Sequence, residues 1–179
     1  MTSNWQALQP AELATVMEDF DGPWWISGGV AIDLFLGTAT REHEDIDVSV
    51  LQAHRPSLDD TLSGWDLNEV HEYELWARRA ADGPWEVEFL LEQREGDQWV
   101  YRRDAQITMP LGHLGKVTAD GVPYLVPEVV LLYKSKEPRE IDQADFEAAL
   151  PKLGIGARCW LAAALEVVHP DHHWIGRIL

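Results

Sequence analysis

The chain has one cysteine, Cys159, in 179 residues. An intramolecular disulfide is therefore excluded, and packing alone must hold the fold. A reducing compartment fits this usage, and the apolar neighbours Trp160 and Leu161 predict a packed, unreactive thiol. No apolar run approaches the ~20 residues that cross a bilayer, so no membrane partner is expected. The opening MTSNWQALQP has neither a basic nor an apolar leader region, and the expected location is cytoplasmic. Positive charge is scarce: 14 Lys and Arg stand against 31 Asp and Glu, a formal net charge of −17. Such a field opposes nucleic acid or anionic lipid as a generic partner and can draw in a cationic ligand. A plain acidic surface accounts for it equally well. There is no internal repeat or low-complexity tract, no Lys-Ser/Thr phosphate loop and no G-x-G-x-x-G.

Tryptophan is plentiful, with nine residues expected in the core or in pocket walls. A chain this long buries about two-thirds of its unfolded surface and suits one compact domain. The periodicity predicts a helix over Pro10–Phe20, a buried strand over Trp24–Ser27, a helix over Val30–Leu36 stopped by Gly37, and a strand over Asp45–Leu51. A helix is expected over Leu58–Leu62. Strands follow at Asp66–Val70, Glu74–Arg79, Trp85–Leu91, Trp99–Arg102 and Gly121–Leu125, then helices at Pro127–Lys136, Glu140–Leu150 and Ala157–Val168. This is an α+β pattern: a small mixed β-sheet flanked by helices over residues 1–126, with a helical C-terminal segment, 127–179, packed on it as one compact unit.

Two features carry chemistry. Ser27-Gly28-Gly29 joins a strand to a helix, where glycine lets a phosphate approach the backbone and the helix start offers free N–H groups. Asp45 and Asp47 sit two apart on the next strand and so share a face, while Ile46 and Val48 turn to the core. Their oxygens can converge on one hard cation or on two, and Mg²⁺ suits a sparse carboxylate set completed by substrate phosphate. Each feature alone is common. A phosphate-binding turn beside a metal-binding strand points to nucleotidyl transfer. On a later strand, Glu86 and Glu88 also share a face, and either can complete the metal site or take a proton from an attacking hydroxyl.

In combination these residues resemble the nucleotidyltransferase superfamily that includes DNA polymerase beta. The finer likeness is to the small antibiotic nucleotidyltransferases of the aminoglycoside 2''-adenylyltransferase and lincosamide types. It rests on Trp25, Ile26, Gly28, Gly29, Ala31, Ile32, Asp33, Leu36, Gly37, Thr40, Arg41, His43, Asp45, Ile46 and Asp47, and on a second block of Lys134, Arg139, Asp142 and Asp145. The resemblance implies a nucleotidyltransferase fold, Mg²⁺ as two ions, ATP or another NTP as co-substrate, and a small-molecule acceptor such as an aminoglycoside. It makes Asp45 and Asp47 the metal pair and Ser27, Gly28 and Gly29 the triphosphate turn. Arg41 and Lys134 become triphosphate partners. Glu86 stands where the family places a third metal-binding carboxylate, normally Asp, with Glu88 the fallback if the register differs. Asp33 would order the loop, His43 would orient Asp45, and Asp142 and Asp145 would cap and pack a helix. Glu72, Glu74 and Glu92 are candidate acids for a cationic acceptor. Two other readings stay open: transfer to a protein or RNA, as in toxin-type enzymes, and a degenerate module that only binds nucleotide.

Overall fold

The computed structural model describes residues 4–179. Helix α1 (Pro10–Val16) starts with proline at its first position and leads into strand β1 (Trp24–Ser27). Helix α2 (Gly28–Leu36) follows without a spacer and stops at Gly37, whose φ of 77° is the left-handed ending glycine allows. Strand β2 (Asp47–Leu51), helix α3 (Arg55–Thr61), strands β3 (Asp66–His71), β4 (Glu74–Arg78), β5 (Val87–Glu95), β6 (Gln98–Val100), β7 (Thr108–Pro110), β8 (Gly115–Val117) and β9 (Pro123–Leu125) come next. Four helices close the chain: α4 (Pro127–Lys134), α5 (Glu140–Ala149), α6 (Ile155–Val168) and α7 (Ile175–Ile178).

The sheet runs β3-β4-β5-β2-β1-β9-β8, and β6 and β7 extend it from β5. It is mixed, as expected: β2 with β5 and β1 with β9 are parallel, the other pairs antiparallel. The register sets the two faces apart. Ile26, Val48, Val50, Leu75, Ala77, Val87, Phe89 and Leu91 form one face, and all are buried. The opposite face carries Ser27, Asp47, Ser49, Glu74, Glu88 and Glu92, because Ser27 lies across from Asp47 and Asp47 lies across from Glu88. A sheet with one apolar face meets the core on that side, and its polar side is where chemistry can be placed. Helix α2 packs on β1, and α4 and α5 pack on α2, which walls the polar face at the strand ends.

Several expectations shift. Strand β2 begins at Asp47, so Asp45 lies just ahead of it in a loop. Strand β5 begins at Val87 rather than Trp85 and continues to Glu95, and α1 is shorter than its periodicity suggests. No strand was expected at β7 or β8, whose three residues each give no alternation to read. None of the nine tryptophans is exposed. Cys159 is exposed, contrary to the expected packing: α6 turns Leu161, Ala162 and Leu165 inward and Cys159 outward. Among the described residues no helix is long and apolar enough to cross a membrane.

Candidate active site

Gly28 is the pivot of the site. Its φ of 62° turns the chain from β1 directly into α2, and a Cβ there would overlap Asp47 Oδ2. Both the backbone angle and the Asp47 carboxylate therefore require glycine. Gly29 is crowded too, though without a left-handed φ: a Cβ there would meet the end of the Arg41 side chain and the His43 ring. Ser27 sits at the N-cap position of α2, yet its hydroxyl makes no capping bond. Ser27 Oγ is buried without a hydrogen-bond partner among the described residues, at the start of the first helical turn, whose N–H groups have no partner within the helix.

Oxygens of Asp45, Asp47 and Glu88 all lie within 4.8 Å of one another. Parallel pairing of β2 and β5 places Glu88 across from Asp47, and Asp45 reaches in from the preceding loop. Glu86 is not in this cluster, which corrects the expected third carboxylate. It lies before β5 and turns to Arg79, accepting hydrogen bonds from Arg79 N at 2.6 Å and Nη1 at 3.1 Å. Three acids this close oppose one another's ionisation. Burial, then the Asp45 charge, pushes Asp47 up to about 7, against the pull of Lys134. Burial, then Asp47, Glu74 and Asp45, pushes Glu88 up to about 9. This donor set fits a hard divalent cation, which would remove the mutual repulsion.

A recess of about 320 Å³ next to the cluster is lined by Ser27, Gly29, Arg41, His43, Lys134 and Arg139, along with Asp45 and Asp47. Helix α5 assembles its cations. Lys134 Nζ bonds Asp142 Oδ1 at 2.7 Å and lies 3.0 Å from Asp145 Oδ2, and Arg41 Nη2 reaches Asp145 at 3.5 Å. Asp142 also accepts from the backbone N–H of Arg139 at 3.0 Å and from its Nε at 2.8 Å, so it caps α5 as expected. Burial alone would raise Asp142; hydrogen bonds from Arg139 and Lys134 outweigh it and hold the carboxyl well below the usual range. Arg41 Nε is buried with no hydrogen-bond partner among the described residues. Asp33 orders the intervening loop, accepting from Thr40 N and Oγ1 at 3.0 and 2.6 Å. His43 bonds Asp33 at 2.6 Å, so its ring is fixed by Asp33 rather than by Asp45.

A second cavity of about 490 Å³ shares Ser27 and Asp47 with the first and runs along the polar sheet face to Glu74, Glu92 and Tyr133. Glu92, named from sequence as a candidate acid, is buried at the base: Ser49 Oγ, Trp99 Nε1 and Tyr133 Oη donate to it at 3.0, 2.9 and 2.8 Å. Glu72 is exposed in the β3–β4 turn and does not line this cavity. Arg102 does line it and went unnoticed in the sequence, where the Arg102-Arg103 pair after β6 matches no motif.

A glycine strand–turn–helix beside a carboxylate triad on a mixed sheet is the arrangement of a nucleotidyltransferase. The chain belongs to the aminoglycoside-2''-adenylyltransferase family, whose sequence model matches residues 11–148. No curated protein sequence matches significantly. Among solved structures, the chain resembles ANT(2'')-Ia in complex with adenylyl-2''-tobramycin (TM-score 0.64, 20% identity, 88% of this chain and 95% of that one). It also resembles the lincosamide antibiotic adenylyltransferase LnuA, lincomycin-bound (TM-score 0.61, 17% identity, 80% and 97%). A nucleotidyltransferase-like protein from Paracoccidioides brasiliensis shares the fold at a TM-score of 0.53 and 18% identity, with 94% and 88% covered.

Proposed function

We propose that the protein transfers AMP from ATP to a hydroxyl of a small-molecule acceptor. The reading rests above all on one observation: Asp45, Asp47 and Glu88 converge beside a glycine turn with no room for a side chain. These three residues would hold Mg²⁺, as one ion or two, and the metal would neutralise phosphate charge and stabilise both the attacking and leaving oxygens. Ser27 Oγ, unpaired among the described residues, and the N–H groups of the first turn of α2 would donate to the triphosphate. Lys134, Arg41 and Arg139, held by Asp142 and Asp145, would supply its counter-charge. The acceptor oxygen bonds the α-phosphorus, the bond from that phosphorus to the bridging oxygen breaks, and pyrophosphate leaves. Glu88 takes the hydroxyl proton.

The likeness to proteins solved with adenylyl-tobramycin and with lincomycin supports a drug-sized acceptor, and the second cavity has the volume for one. The test is transfer from α-labelled NTPs, with Mg²⁺, to a panel of aminoglycosides, lincosamides and neutral and anionic sugars. Transfer is expected with ATP, and Asp45→Asn should lower it by at least ~100-fold, the usual size for removing one electrostatic element. Unchanged transfer in that variant would contradict the assignment. Nucleotide binding without transfer to any acceptor would favour a binding module instead.

A further inference from the structure

We infer that the acceptor carries an anionic group, a carboxylate or phosphate, which Arg102 receives in the second cavity. The inference rests on the proposed transfer for what occupies that cavity. Arg102 Cζ lies 3.9 Å from the Tyr73 ring centre and 5.3 Å from that of Tyr133. The two rings hold the guanidinium in place but accept no conventional hydrogen bond from it. Arg102 Nη1 is buried and has no hydrogen-bond partner among the described residues. A guanidinium keeps its charge at every physiological pH, so it cannot relieve that situation by losing a proton. Glu92, on the same cavity wall, accepts from Ser49, Trp99 and Tyr133 and makes no hydrogen bond or ion pair with Arg102 among the described residues.

Arg102, Arg103, Lys134, Lys136 and Arg139 line this cavity alongside Asp47, Glu74, Glu92, Glu137 and Asp142, in a chain of net charge −17, so the cavity carries as many cations as acids. A site shaped only for a polycation would not hold so many cations. Glu74, on the same wall and close to Glu88, sits nearer the reacting centre. The cavity thus joins the carboxylate cluster to an unpaired guanidinium held between two tyrosine rings. An acceptor that places its hydroxyl at Glu88 and its anion at Arg102 satisfies both. Arginine's planar fork suits either carboxylate or phosphate.

Direct binding tests this without knowing the natural acceptor. Glucuronate, glucose 6-phosphate and glucosamine are titrated calorimetrically into the protein with a non-transferable ATP analogue and Mg²⁺. One or both anionic sugars should bind at least tenfold tighter than glucosamine, and which of the two does so identifies the anion. Arg102→Gln should abolish the preference while leaving the affinity for the ATP analogue within threefold of wild type. Arg102→Lys, which keeps the charge, should retain part of it. Equal or tighter glucosamine binding by the wild type, or a preference that survives Arg102→Gln, would overturn the inference. So would loss of analogue affinity in Arg102→Gln, which would assign the residue to the nucleotide. Failure of the transfer reading has a separate signature: no analogue binding by the wild type, whatever the sugars do.

Discussion

At the scale of single residues the site is built on exclusion. Gly28 has no tolerable side chain, since a Cβ would meet Asp47 and φ is 62°. Gly28→Ala should therefore lower transfer at least ~100-fold and also destabilise the protein, because a left-handed non-glycine residue alone costs about 1–2 kcal/mol. Gly37 separates the two effects. Its φ is 77° but nothing lies within 4 Å of a Cβ there, so Gly37→Ala should show the stability loss in urea denaturation and keep transfer. The carboxylates make a second contrast. Glu88→Gln should lose two decades of rate, while Glu86→Gln, whose parent is paired with Arg79, should lose less than threefold.

The same residues fix a pH dependence. Asp47 and Glu88 are raised to about 7 and about 9, above their ordinary values of 3.8 and 4.5. Between the ordinary and raised values the metal-free fold binds more protons than the unfolded chain, so its stability falls as pH rises through that window. Metal-free Glu88→Gln should then melt higher than wild type at pH 8, by at least about 2 °C, in a differential scanning experiment. Mg²⁺ binding should release protons at pH 7 and tighten toward pH 9. Calorimetry in buffers of different ionisation enthalpy reads that release directly.

At the scale of elements, α5 ties the helical segment to the site. Asp142 is buried, caps α5 through Arg139 N and pairs with Lys134. Asp142→Ala should cost about 2–4 kcal/mol, since it removes a cap and half of a buried pair together. Its carboxyl is held below the usual range, so this stability is present above its unfolded value near 3.8 and is lost as pH falls through the lower folded value. Acid denaturation of the variant should accordingly start from a lower plateau and show a shallower loss below pH 4.

The element scale also shows what the sequence could and could not reveal. Trp24–Ser27 was legible because four residues sit between a Gly-Pro break and a Gly-Gly turn. Asp45 and Asp47 were legible from their D-x-D spacing after the glycine turn, although Asp45 reaches the site from the loop ahead of β2 rather than along the strand. Glu86 and Glu88 satisfy strand alternation alike, and only the parallel pairing of β2 with β5 separates them. That pairing joins segments some forty residues apart, which no local pattern encodes. Arg102 was hidden for a related reason: its meaning comes from Tyr73 and Tyr133, which two distant segments supply.

At the scale of the whole molecule, the acidic surface and the basic recess oppose each other. A net charge of −17 repels itself in the folded state and repels an incoming nucleotide triphosphate. Moderate salt should raise the melting temperature by screening that self-repulsion, with most of the gain below about 0.3 M, where the Debye length becomes shorter than the spacing of surface charges. The cations at Arg41, Lys134 and Arg139 lie in a recess walled by α2, α4 and α5, so the anion-binding potential is local while the global field has the opposite sign.

The central claim is that three specific carboxylates grip a divalent cation beside the Gly28 turn. Mn²⁺ binding followed by electron paramagnetic resonance, with a non-transferable ATP analogue present, tests it most directly. Wild type and Glu86→Gln should titrate alike, and Asp47→Asn and Glu88→Gln should each lose at least tenfold in Mn²⁺ affinity. Wild-type affinity in Asp47→Asn, or a loss in Glu86→Gln equal to that in Glu88→Gln, would contradict it.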